Sequence, residues 1–140
     1  MTAKVIAICA ICLTIVCYRV DGNECDEGWT SFDDNLSVCY LFAYNQKSWI
    51  EAKETCDALH SKLGKIDTRD KVQYVLTSPM ITGGCNAFWV APPDRQGMNG
   101  FNAHPSDCIV LTNHPATPNT HWDFEYCFTR HCFICEKRIV

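Results

Sequence analysis

The chain has 140 residues, 47% of them hydrophobic, which bounds it to one domain with a modest core. It carries 12 basic and 16 acidic residues, a formal net charge of −4, and that mild acidity argues against nucleic acid or an anionic membrane as the partner. Lys4 gives the start a short positive patch. Val5 to Cys17 is then an apolar run of thirteen residues, broken only by Thr14 and ended by Arg19 and Asp21. As a helix such a run spans roughly 20 Å, too short for a bilayer core of about 30 Å. It reads as a cleaved secretory signal over 1–22, with Val20 and Gly22 as the small residues before the cut. The rival is a type II signal-anchor, weakened because only four residues precede the run and no stalk follows it. A lipoprotein signal ending at Cys17 is weaker still, because bulky Val16 sits just before the cysteine. The domain proper is then 23–140, with ten basic and fifteen acidic residues and a net charge near −5.

Eleven cysteines are present. Cys9, Cys12 and Cys17 fall in the leader, leaving Cys25, Cys39, Cys56, Cys85, Cys108, Cys127, Cys132 and Cys135. An even set in a secreted chain reads as four disulfides, and eight cysteines allow 105 pairings. Asn35-Leu36-Ser37 is an N-glycosylation sequon, in accord with secretion.

Along the domain, Cys25 to Tyr44 reads as a short strand, a turn and a second strand. Ser48-Trp49-Ile50-Glu51 is a capping box that opens a first helix. Trp49, Ala52, Cys56 and Leu59 share one face of it, and Gly64 lies late for its stop. A second helix runs from about Thr68 to Leu76, with Val72, Val75 and Leu76 as its apolar stripe and Pro79 just beyond its end. Ala87 to Val90, Cys108 to Leu111 and Cys132 to Cys135 are short apolar runs of strand type. Between them lie a Pro-, Gly-, Asn- and His-bearing loop, 91–107, and a second loop, 112–120, with Pro115 and Pro118. The order is that of an α+β domain whose second half is rich in loops, where binding residues usually sit.

These residues resemble the C-type lectin-like domain in its long form, as found in secreted single-domain C-type lectins. The matching positions begin with Cys25-x-x-Gly28-Trp29, Phe32, Cys39-Tyr40, Trp49-x-x-Ala52-x-x-x-Cys56, Leu63 and Ile66. They continue with Phe88-Trp89-Val90 (Trp-Ile-Gly is usual there), Asp107-Cys108-Ile109-Val110, Trp122 five before Cys127, and Ile134-Cys135-Glu136. The resemblance implies two helices packed on small antiparallel sheets, and it implies the pairs Cys56–Cys135, Cys108–Cys127 and Cys25–Cys39. It leaves Cys85 and Cys132, which pair with each other or make an intermolecular bridge. Trp29, Trp49, Trp89 and Trp122 match framework positions, the first three of them core positions.

Sugar-binding members of that family hold calcium in the long loop through a Glu-Pro-Asn or Gln-Pro-Asp tripeptide and a Trp-Asn-Asp triplet. Calcium wants six to eight oxygen ligands. Here the triplet position reads Trp122-Asp123-Phe124, and Phe124 offers no oxygen where an acid is needed. Neither tripeptide occurs, and only 18 residues separate Trp89 from Cys108. The usual calcium site is therefore expected to be absent. A remodelled site would draw on Asp94, Asn99, Asn102, Asp107 and Asp123. His104, His114, His121 and His131 with Asp107 and Asp123 raise zinc, but the spacing fits no metal motif and surface-loop histidines are the plainer reading. Nothing reads as an enzyme. Eight cysteines in an oxidising compartment are bridges rather than nucleophiles, Asp33-Asp34 is turn chemistry, and Gly83-Gly84 precedes a strand instead of opening a phosphate-binding helix.

The sequence thus points to a secreted, extracellular binding module with no cofactor and no membrane span. Its ligand is a glycan or a protein, met by the loops 91–107 and 112–126 through Asp94, Asn102, Asp107, Trp122, Asp123 and Phe124. Phe124 at a loop tip would be an apolar anchor for either ligand, and burial is its other reading. An extracellular structural or matrix component, monomeric or linked into an oligomer by disulfides, is the alternative. A true calcium-dependent lectin with a remodelled site is another.

Overall fold

A computed structural model of the chain describes residues 7–9, 17–19, 25–32, 37–92, 107–113 and 121–139. Asn35 of the sequon, Asp94, Asn99, Asn102, His104 and His114 lie outside the described residues. Near the start of the chain, the backbone of β1 (Ala7–Cys9) pairs antiparallel with β2 (Cys17–Arg19). Ala7–Cys9 lies within the apolar run and Cys17–Arg19 begins at its last residue. Among the described residues no helix is long and apolar enough to cross a membrane.

The domain opens on Trp29, half-buried beneath Lys137, whose ammonium lies 4.2 Å from its ring centroid. Thr30 bridges Tyr40. The chain then runs through β3 (Val38–Lys47), α1 (Trp49–Ala58), β4 (Lys62–Leu63), α2 (Arg69–Thr77) and the one-turn α3 (Pro79–Thr82). The second half holds β5 (Ala87–Trp89), β6 (Asp107–Thr112), β7 (Trp122–Tyr126) and β8 (His131–Arg138). Instead of small antiparallel sheets, one six-stranded sheet forms in the order β3-β8-β5-β6-β7, with β4 also on β8. It is mixed, because β5 and β8 run parallel. Pairing between strands so distant in sequence leaves no local mark that alternation could reveal.

The capping box closes as expected. Ser48 Oγ accepts from the Glu51 amide at 3.3 Å, and Glu51 Oε1 accepts from the Ser48 amide at 3.0 Å. Ala52 and Cys56 face the core, but Leu59 does not join them. The helix ends at Ala58, and Leu59 at the C-cap is exposed because its backbone has left the helical region. In α2, Thr68 caps the Lys71 amide, and Val72, Val75 and Leu76 are buried. Pro79 sits in the first turn of α3, where its missing N–H costs nothing.

Two apolar clusters fill the interior. One lies between α2 and the sheet around Phe88, Leu111 and Ile134; the other lies between α1 and the sheet around Trp89, Val110 and Phe133. Trp89 is fully buried, but Trp29 and Trp49 are only half-buried, each flanking the second cluster from its rim. Among the described residues the disulfides are Cys25–Cys39, Cys56–Cys135, Cys85–Cys132 and Cys108–Cys127. Cys85 and Cys132 thus pair within the chain, so neither is left to link two chains.

Gly64 does not stop α1; it lets two backbones meet. Its N–H donates to Ile134 and its carbonyl accepts from Ala91, both at 2.8 Å. A Cβ there would lie 2.8 Å from Ile134 Cγ2, and Ile134 is fully buried with no room to turn. Gly64→Ala is expected to destabilise the domain by about 1–3 kcal/mol in denaturant unfolding. An unchanged midpoint would mean that β4 gives way freely.

Candidate functional site

The segment 112–126 is not all loop. Trp122–Tyr126 is strand β7, paired with β6 so that Ile109 faces Phe124, Val110 faces Asp123 and Leu111 faces Trp122. The signal was present in the sequence: Trp122, Phe124 and Tyr126 alternate with Asp123 and Glu125. Trp122 and Phe124 pack from the rim against the cluster beneath α2. Phe124 is accordingly neither a loop tip nor fully buried; it is half-buried on a strand. Asp123 Oδ1 accepts the Phe124 amide at 2.8 Å. Asp107 opens β6, where only its backbone is described. Of the six predicted binding residues, the structure thus brings Trp122, Asp123 and Phe124 together on β7, with the Asp107 backbone opposite Tyr126.

The turn after β7 is clamped from three sides. Cys127 is bonded to Cys108, and its carbonyl accepts the Trp49 amide at 2.9 Å. Thr129 N–H donates back to the Tyr126 carbonyl, also at 2.9 Å. Arg130 spans to α1, donating to Glu51 Oε1 at 3.3 Å and to the Gln46 carbonyl at 2.9 Å. The Ser48 backbone N–H, then its hydroxyl, and more weakly the Arg130 charge hold the Glu51 carboxyl below the usual carboxylate range. One carboxylate therefore both caps α1 and tethers the turn.

On this fixed turn Phe128 is 83% exposed and Tyr126 68%. Beside them opens a cavity of about 610 Å³ between the first turn of α1, the end of β5 and the β6–β7 pair. Its walls include Trp49, Ile50, Val90, Pro92, Phe124 and Phe128. Ligand pockets typically span roughly 300–1,000 Å³ and are mostly apolar. Phe128, Ile50 and Arg130 were not predicted as site residues. Ile50 falls off the buried face of its helix, and an aromatic after a cysteine carries no pattern that sets it apart from core.

Of the four late histidines, His121 and His131 lie among the described residues. His131 opens β8, packs edge-on against Trp89 at 4.9 Å between centroids, and meets Glu125 at 2.9 Å through Nε2. It is mostly buried on a strand, contrary to the expectation of a surface-loop histidine. His121 is half-buried just before β7. Among the described residues no group of three His, Cys, Asp or Glu side chains is placed to hold a metal ion.

No protein-family model matches the chain. It is 25% identical over 139 residues to the human secretory phospholipase A2 receptor, covering 86% of this chain and 9% of that protein. It is 24% identical over 131 residues to the C-type lectin domain family 7 member A of Macaca mulatta, covering 83% of this chain and 51% of that protein. The chain thus spans only a small part of the phospholipase A2 receptors it matches. Among solved structures, human lithostathine superposes with a TM-score of 0.61 at 18% identity, over 81% of this chain and 99% of its own. The SPL-1–GlcNAc complex gives 0.61 at 19% identity, over 81% and 95%.

Proposed function

Since the chain folds as a C-type lectin-like domain, we propose that it is a secreted, extracellular binding module that takes a glycan or protein ligand without calcium at Trp122-Asp123-Phe124. The observation that carries this reading is Phe128, 83% exposed on a clamped turn at the rim of an apolar cavity. An aromatic held rigid before binding loses little freedom on binding, and such anchors dominate interface energies. Calcium independence is supported by Phe124, whose ring packs towards the core, and by Asp123, whose Oδ1 already accepts the Phe124 amide. Secretion is supported by four disulfides and by the leader-like start. Binding without catalysis is supported by the pairing of all eight cysteines from Cys25 onward, which leaves none of them as a thiolate nucleophile. A sugar is favoured as one ligand class by the likeness to SPL-1, solved with GlcNAc.

The test is a glycan array probed with the oxidised protein, in calcium and in chelator, beside Phe128→Ser. Bound glycans should persist in chelator, and Phe128→Ser should weaken them at least about tenfold, the scale of an interface anchor, with its melting temperature unchanged. Binding abolished by chelator would overturn the reading in favour of a remodelled calcium site. Silence in both conditions would leave a protein as the ligand.

A further inference from the structure

A second cavity, of about 560 Å³, opens between the start of β3, the end of β8 and the N-terminal turn of α2, and shares no lining residue with the apolar one. Its charges fall into two sets. Asp67 is already neutralised, at 3.3 Å from Lys71 and 3.8 Å from Lys65. Burial lowers the Lys71 pKa, but the Tyr40 hydroxyl and Asp67 outweigh it and hold the ammonium above the ordinary lysine value. The other set is open. Glu136 is only 8% exposed and lines the cavity, and among the described residues its carboxylate accepts one hydrogen bond, from the Lys65 amide to Oε1 at 2.8 Å. The Arg138 guanidinium and the Asp70 carboxylate line the same space and make no ion pair among the described residues. Glu136 and Arg138 are two apart on β8 and so point to one face, opposite Tyr40 and Val38 on β3. Phe32, stacked on Tyr74 at 4.3 Å, supplies an aromatic wall.

A buried carboxylate with one donor is costly unless a second donor meets it. The cavity therefore offers a cationic fork, two acceptors and an aromatic face. We infer that it binds a monosaccharide acid. The sugar carboxylate lies on Arg138 in bidentate fashion. Ring hydroxyls donate to Glu136 Oε2 and Asp70, and the C–H face of the ring packs on Phe32. A zwitterion fits less well, because its ammonium would meet Lys65 and Lys71 in the same wall. The inference does not rest on the reading of the Phe128 face.

The test is a chemical-shift titration of the labelled, oxidised full chain with glucuronate, beside glucose and glycine, repeated on Arg138→Gln and Asp70→Asn. Saturable shifts confined to residues around Arg138, Asp70 and Glu136 are expected with glucuronate alone. Arg138→Gln should weaken them at least about tenfold, the loss of a hydrogen bond between charged groups, with the rest of the spectrum unchanged. Both variants alter exposed side chains, so folding is preserved. No saturation with glucuronate, equal binding of glucose, tighter binding of glycine, or full affinity in Arg138→Gln would each overturn the assignment.

Discussion

Replacing Cys56 and Cys135 together by alanine is expected to lower the stability of the oxidised domain by about 4–5 kcal/mol. The bridge closes a loop of sequence separation 79, the longest of the four, and the unfolded chain gains the most freedom when it is cut. The separations of the other bridges are 14, 47 and 19, so removing Cys25–Cys39 or Cys108–Cys127 should cost about 3 kcal/mol each. Both sulfurs of the long bridge are also fully buried between α1 and β8, so their loss opens space in the second cluster. Thermal unfolding should show a fall on the order of 15 °C for this pair and less for the two short bridges. Equal falls for all three would refute loop length as the source.

Trp89→Ala should cost about 3–5 kcal/mol, the range for emptying a large aromatic site. Trp89 is fully buried, its Nε1 donates to the Lys47 carbonyl at 2.8 Å, and His131 packs against its ring. It ties β5 to the end of β3 as well as filling the cluster beneath α1. Trp89→Phe keeps much of the ring but removes that donor, and should cost about 1–2 kcal/mol. Denaturant unfolding of the two variants separates packing from the hydrogen bond. If Trp89→Phe were as damaging as Trp89→Ala, the bond to Lys47 would outweigh the packing.

Where local chemistry decides structure, the sequence was readable. Ser48 and Glu51 announce α1, and Thr68 with Val72, Val75 and Leu76 announces α2, because caps and apolar stripes act over one or two turns. The runs at 87–90, 108–111 and 132–135 are strands because short apolar stretches have no other buried home. Strand β7 was missed because Pro115 and Pro118 drew the loop onward, although Trp122, Phe124 and Tyr126 alternate. The parallel pairing of β5 with β8 and the buried position of Glu136 follow from tertiary contacts that no spacing encodes. The same holds for the site. Trp122, Asp123 and Phe124 stand out by their place in a triplet, while Phe128 and Arg130 gain meaning only once Glu51, Gln46 and Cys108 are beside them.

At β7, Asp123 Oδ1 accepts from the Phe124 amide and Phe124 packs towards the core, and the ligand surface proposed above is the clamped turn next door. The most direct measurement is the unfolding midpoint of the oxidised domain, taken in calcium and in chelator, with Asp123→Ala alongside. A cation binding the native state at a hundred times its Kd raises stability by about 2.7 kcal/mol. The midpoint should be the same in both conditions. A rise in calcium that Asp123→Ala abolishes would contradict it.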